Sequence, residues 1–245
     1  MRIFLLLLMS SFHLYGYDFE HPKYELIQKA LVEEHNFSAE EIKLIIGQAE
    51  KQQKIIDSMN SPAEFTWTWD RYRKLFIEPK RIKNGKLFIK KNLGTLERAE
   101  AQFGVPKEVI TAILGVETRY GKIMGSYRVL DALSTLSFDY PRRSNFFSQE
   151  LINLLLLARE NNLDIFKLKG SYAGAMGYGQ FIPSSYRAYA VDFDNDGSVD
   201  LLNSVEDAIG SIANYLFQHG WKSNYPIIWE VNNSFEGFNP DSVNN

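Results

Sequence analysis

Apolar residues return at every third or fourth position through most of the chain, which is the spacing of one helical face. The pattern predicts a helix over Tyr24 to Val32. Ser38 followed by Glu41 makes a capping-box start for a second helix carrying Ile42, Ile45, Ile46 and Ala49. SPAEFTWTWDRYRKLF (61–76) predicts a turn and then an aromatic-rich helix. Thr95 is placed to cap a helix running through Phe103. Gly104 and Pro106 then punctuate, and Pro106 suits the first turn of the next helix. Ser144 to Asn161, with leucine at 154–157, predicts a long helix buried on most sides. Ser204 caps a last helix in which Val205, Ile209, Ile212 and Leu216 recur, and Gly220 suits its C′ position. Residues 170–200, rich in Gly, Ser, Asp and Pro, read as a functional loop. Pro226 to Val231 reads as one short strand. With no internal repeat and no strong linker, the pattern predicts a mainly α protein: one unit over 17–232 with a small lobe, then a polar tail over 233–245.

The first residues change the picture. Arg2 is followed by an apolar stretch from Ile3 to Phe12, too short to span a bilayer comfortably. Residues 1–16 read as a secretory signal peptide with Gly16 before the cut. The expectation is an exported, periplasmic protein with no transmembrane segment once mature. The chain has no cysteine, so disulfides and thiol chemistry are excluded, and a lipid anchor on cysteine is not expected. The four histidines show no zinc-type spacing. Net charge is −3 and there is no long basic run, so nothing supports nucleic-acid binding.

Candidate chemistry centres on AILGVETRYG (112–121). Ile110, Ile113 and Leu114 lie seven, four and three residues before Glu117, so a carboxylate occupies a slot where the stripe expects a core aliphatic. Burial beside apolar side chains raises a carboxyl pKa, and a carboxyl protonated near neutral pH can serve as a general acid. The plainer alternative is a buried carboxylate paired with Arg119 or Lys122.

Two further runs carry chemistry. GSYAGAMGYGQFIPSSY (170–186) combines small residues with Ser171, Tyr172, Tyr178 and Gln180, a mixture suited to sugar rings and hydroxyls. VDFDNDGSVD (191–200) opens like an EF-hand, with Asp192, Asp194 and Asp196 alternating and Gly197 at the sixth position. Ser198 would offer its carbonyl, and Asp200 stands where a water-bridged ligand is common. Asn203 replaces the usual twelfth-position Glu, leaving Glu206 or Asp207 to close the shell. The run predicts a structural Ca²⁺ site.

These runs, with PAEFTWTWDRYRKLF, RIKNG (81–85), GVPKEVITAILGVETRYG (104–121), FDYPRR (138–143) and DAIGSIANYLFQHGW (207–221), resemble the membrane-bound lytic murein transglycosylase B family. That likeness covers about two thirds of the chain. It implies a lysozyme-like, goose-type-like catalytic core with an EF-hand-like calcium loop, acting on peptidoglycan glycan strands. On this resemblance Glu117 is the sole catalytic acid. Ser171, Gln180 and Tyr215 contact sugar or support the reaction, Tyr72 lines the groove, and Arg142 and Arg143 meet the acidic stem peptide. Asp192, Asp194, Asp196, Ser198 and Asp207 form the calcium loop, with Asp207 preferred to Glu206 because it opens the DAI run. The implied product carries a 1,6-anhydro ring on N-acetylmuramic acid. The alternatives are a lysozyme-type hydrolase and a non-catalytic glycan binder. The second gains weight because the family's final helical segment, with an Arg-Tyr-Asn run, is not found before Asn245.

Overall fold

The computed structural model describes residues 17, 19–61, 68–223 and 225–227. The expected signal peptide, the polar tail and most of the expected strand at Pro226–Val231 lie outside these residues. Pro226 and Ile227, which are described, are not in a strand.

The described residues are mainly α. The helices are α1 (Pro22–His35), α2 (Ala39–Ile46), α3 (Gln53–Asn60), α4 (Trp69–Phe76), α5 (Pro79–Lys91), α6 (Leu93–Phe103), α7 (Lys107–Thr118), α8 (Val129–Asp139), α9 (Ser144–Glu160), α10 (Pro183–Tyr189) and α11 (Val205–Gln218). A 3₁₀ turn at Pro141–Arg143 precedes α9. Two short strands, β1 (Tyr127–Arg128) and β2 (Lys169–Gly170), pair antiparallel with Tyr127 opposite Gly170. Single bridges from Gly170 to Met176 and from Met176 to Phe181 extend this pairing into the 170–181 loop.

Several local signals act as read. The Ser38 hydroxyl accepts from the Glu41 N–H (3.1 Å), and the Ser204 hydroxyl accepts from the Asp207 N–H (3.1 Å). Gly220, at φ 87°, follows the end of α11 in the left-handed conformation that glycine adopts without strain. Thr95 does not cap a helix: α6 begins two residues earlier, with Asn92 ending α5 and starting α6.

Helix α9 forms the middle of one layer, with α8, α10 and α1 packed against it. Its leucines 154–157 are all buried. A second group joins α11 to α6 and α7, and α5 to α7. The two groups meet where α10 touches α11. Within the first group, α10 is tied to α9 by Glu150, a buried carboxylate that accepts from the Ser184 N–H (2.9 Å) and hydroxyl (2.6 Å). A negative charge at the first turn of α10 also complements that helix's dipole. Among the described residues, no helix is long and apolar enough to cross a membrane.

Candidate active site

The site is built on the last turn of α7. Ile110, Leu114 and Thr118 are fully buried and define the inward face. Glu117 lies one residue off that face and is exposed, so the expected core slot is filled by Thr118 instead. The reason is geometric. Helical spacing fixes the face to within about one residue, and the stripe leaves the core where α7 ends.

After Thr118 the chain turns sharply. Arg119 (φ 51°), Tyr120 (φ 64°) and Gly121 (φ 83°) are all left-handed. Two consecutive non-glycine residues in this region are costly and persist only where neighbours over-determine them. Here the neighbours do. Tyr120 N–H reaches the Leu114 carbonyl (2.9 Å), and its hydroxyl donates to the Arg81 carbonyl (2.9 Å). The Tyr120 ring stacks on Phe88 and lies against Gly115, where an added Cβ would meet the Tyr120 oxygen at 2.6 Å. The Thr118 hydroxyl donates to the Tyr178 carbonyl (2.8 Å) and accepts from the Gly121 N–H (2.9 Å). Gly121 in turn lies under Tyr178: a Cβ there would stand 2.0 Å from its ring. The turn that carries Glu117 is thus clamped to the 170–181 loop.

Glu117 opens into a cleft of about 400 Å³, lined by Ile113 from α7, Gly179–Ile182 from the loop, Ser185 from α10, and Ile212, Tyr215 and Leu216 from α11. The carboxyl tip is accessible from the mouth, while apolar walls crowd the group, and this desolvation raises its pKa above the ordinary carboxylate value. Arg119 does not neutralise it, pairing instead with Glu78 at 3.5 Å. Among the described residues, no second carboxylate lines the cleft.

Gln180 and Tyr215 share this cleft with Glu117. The Gln180 amide donates to the carbonyls of Met124 (3.2 Å) and Gly177 (3.0 Å), which fixes the side chain. Tyr215 is held among Phe181, Tyr189 and His219, with the His219 ring stacked at 4.0 Å. Arg142 and Arg143 line an adjoining recess of about 870 Å³ with Tyr140, Phe146 and Tyr172, and Ile182 borders both cavities. Arg143 lies over the Phe146 ring at 4.4 Å. Ser171 and Tyr72 line neither cavity. The Ser171 hydroxyl accepts from the N–H groups of Ala173 (3.3 Å) and Ala175 (3.1 Å) and shapes its own loop. Tyr72 stacks with Trp69 and packs at a tilt against Phe76 on α4. Sequence reasoning missed Thr118 and Glu150, which position the cleft. The available signal was a hydroxyl on the apolar face of α7 and a carboxylate inside the long, largely buried helix α9.

In the acidic loop, carboxylate oxygens of Asp192, Asp194 and Asp196 lie within 4.8 Å of one another. Left-handed Asn195 (φ 62°) and Gly197 (φ 93°) curl the backbone around them. An all-oxygen, triply acidic donor set fits a hard divalent cation such as Ca²⁺. Asp207 is buried outside this group. Its two oxygens accept from the N–H groups of Phe193 (2.7 Å), Asp194 (3.3 Å) and Asp200 (2.8 Å), and burial raises its pKa. Glu206 pairs with Arg98 (3.0 Å), and Asp200 caps the turn at Leu202 and Asn203.

Known proteins resemble this chain in sequence and fold. Residues 19–244 match the Transglycosylase SLT domain family. The chain is 46% identical over 216 residues to membrane-bound lytic murein transglycosylase B of Escherichia coli (strain K12), covering 84% of this chain and 60% of that protein. It therefore spans about 60% of the length of that curated relative. Among solved structures, it resembles the Escherichia coli lytic transglycosylase SLT35 in complex with calcium, at 46% identity and a TM-score of 0.79 over 85% of this chain and 67% of that one. It also resembles soluble lytic transglycosylase SltB1 from Pseudomonas aeruginosa, at 47% identity and a TM-score of 0.80 over 84% and 69%. With a mainly helical, lysozyme-like fold, a cleft at the end of α7 and a family match across almost all the described residues, this chain belongs to the Transglycosylase SLT domain family.

Proposed function

We propose that this protein is a lytic transglycosylase of peptidoglycan, a lyase that cuts the β-1,4 bond between N-acetylmuramic acid and N-acetylglucosamine. The observation that carries the reading is Glu117, the one carboxyl lining the cleft among the described residues, in a site whose walls raise its pKa. Two-carboxylate glycosidases flank the scissile bond with a pair of acids. A cleft with one acid favours a nucleophile supplied by the substrate. Protonated Glu117 donates its proton to the bridging oxygen, and the C1–O bond breaks as the N-acetylglucosamine side leaves as an alcohol. Glu117, now ionised, takes the proton of the muramoyl C6 hydroxyl. O6 attacks C1 and closes the 1,6-anhydro ring. The proton returns to Glu117 and no water is consumed.

Gln180 and Tyr215 are assigned to hold the sugar beside Glu117. Arg142 and Arg143 are assigned to the carboxylates of the stem peptide in the adjoining recess. Ser171 is assigned to loop shape, and Tyr72 to an outer wall of the groove. Asp192, Asp194, Asp196 and the Ser198 carbonyl would hold Ca²⁺, with Asp207 anchoring the loop. The ion would neutralise three crowded carboxylates and stiffen the loop that leads into α11. The catalytic unit is assigned to residues 17–232 and the working compartment to the periplasm.

Mass analysis of muropeptides released from sacculi tests the reading. Anhydro ends are expected. Reducing ends would replace the lyase with a hydrolase, and no release would leave a glycan binder. Glu117→Gln is expected to abolish release while sacculus binding persists; an active variant would remove Glu117 from the chemistry.

A further inference from the structure

Charge is unevenly spread along this chain. Residues 79–96 carry six basic residues and no acidic one, although the chain as a whole is net negative. This segment includes α5, and α5 is two-faced. Arg81 and Gly85 are buried, with Gly85 against Tyr120 and Thr111 of the α7 region. The outward face presents Lys80, Lys83, Lys86, Lys90 and Lys91, all exposed. Among the described residues, none of the five is within ion-pair distance of a carboxylate. Ion pairs elsewhere engage Lys51, Lys74, Lys107 and Lys167.

Exposed aliphatic side chains are interleaved with the lysines. Ile82 is 50% exposed and Leu87 56%, with Ile77 at 55% just before the helix and Leu93 just after it. A recess of about 190 Å³ opens at the start of the same helix, lined by Lys80, Arg81, Arg119 and Lys122 with Glu78 as its one acid. Ile123, 61% exposed, stands at its edge. Glu78 is engaged with Arg81 (3.8 Å) and Arg119 (3.5 Å), leaving Lys80 and Lys122 without an ion-pair partner among the described residues.

We propose that the outward face of α5 docks the enzyme on an anionic phospholipid surface. Lysines present mobile point charges rather than the planar fork that selects one carboxylate or phosphate geometry. Their long stems let the aliphatic neighbours reach the headgroup layer while the ammonium groups stay at the phosphates. The recess beside Lys80 would seat one headgroup phosphate. No α5 residue lines the Glu117 cleft, so docking leaves the chemistry free. A discrete acidic protein partner would favour pairing arginines in a shaped pocket. A broad lysine face mixed with exposed Ile and Leu fits a fluid anionic layer.

The test is co-sedimentation of the full chain with vesicles of mixed phosphatidylcholine and phosphatidylglycerol, against pure phosphatidylcholine. Wild type is expected to bind the anionic vesicles preferentially and to lose that preference in high salt. Each lysine near the surface is worth about fivefold in affinity, so Lys83→Gln/Lys86→Gln/Lys90→Gln is expected to weaken anionic binding by roughly a hundredfold. The apolar N-terminal residues are common to both proteins, so the difference isolates the lysine face. Unchanged sacculus cleavage by the variant shows that it is folded. Equal binding of wild type to both vesicle types, or undiminished binding by the variant, overturns the proposal. Binding of soluble polyglutamate as tight as that of anionic vesicles overturns it in favour of an acidic polypeptide.

Discussion

Thr118→Val tests whether the turn behind Glu117 is held by one hydroxyl. The substitution keeps shape and removes a fully buried oxygen with partners on both sides. It leaves the Tyr178 carbonyl and the Gly121 N–H without their 2.8 Å and 2.9 Å partner. Each buried group left unsatisfied costs about 1–3 kcal/mol, and partial relaxation of the turn places the sum at about 2–3 kcal/mol. For a chain of this size that lowers the melting temperature by roughly 4–12 °C. Thr118→Ser retains both bonds and loses one methyl, about 1 kcal/mol. Activity separates structure from position. The left-handed pair Arg119 and Tyr120 is strained, and with the clamp gone the turn relaxes and moves Glu117. A displacement near 1 Å costs up to about a hundredfold in rate. Thermal melts and sacculus cleavage at a temperature where both variants are folded provide the assay. A Val variant that melts within a degree of wild type and cleaves at the Ser variant's rate would refute the clamp.

Three other outcomes are expected. Because desolvation raises the Glu117 pKa above its ordinary 4.5, its contribution to stability is fully present below that value and is lost as pH rises through the raised value. Glu117→Gln should therefore melt like wild type in acid and above it at neutral pH, and the alkaline limb of the wild-type pH–rate profile should lie above the ordinary carboxylate range. Identical melting of both proteins at every pH would contradict the assigned cause. Calcium at a hundredfold excess over its Kd should stabilise the fold by about 2.7 kcal/mol, and Asp192→Asn/Asp196→Asn should abolish the shift; scanning calorimetry with calcium or chelator reads it directly. Glu150→Leu should cost about 2–4 kcal/mol by freeing the first turn of α10, and denaturant unfolding should show it, whereas a neutral result would mean that α10 is held by packing alone.

What the sequence disclosed of the fold follows from which forces are local. The caps at Ser38 and Ser204 and the stop at Gly220 depend on a few neighbouring residues, so they were legible. Helix α5 was not read, and a glycine inside RIKNG weakens a local helical pattern. Gly85 sits inside a helix because an added Cβ would meet the Tyr120 oxygen at 2.7 Å, a contact made across 35 residues of chain and invisible to any local pattern. Helix α10 was hidden for a related reason. Its first turn is satisfied by Glu150, a side chain from another helix, rather than by a cap in its own sequence.

The site divides along the same line. Glu117 stood out because a carboxylate interrupted an apolar stripe, yet the stripe located the helix face more finely than the period allows. The buried position belongs to Thr118, and Glu117 is displaced by one residue into the cleft. That displacement suits the proposed chemistry. A carboxyl in the core would meet no sugar, and one on an open surface would keep its ordinary pKa. At the rim of α7, walled by Ile113, Ile212 and Leu216, it is reachable and still desolvated. Asp207 shows the converse. The sequence placed it among the metal ligands because it opens the DAI run, but its oxygens are engaged by three backbone N–H groups of the acidic loop. A carboxylate that organises a loop and one that would hold a cation share the same letter. Only the direction of its hydrogen bonds separates them, and that direction is set by where α11 packs against the loop rather than by the spacing of the acids.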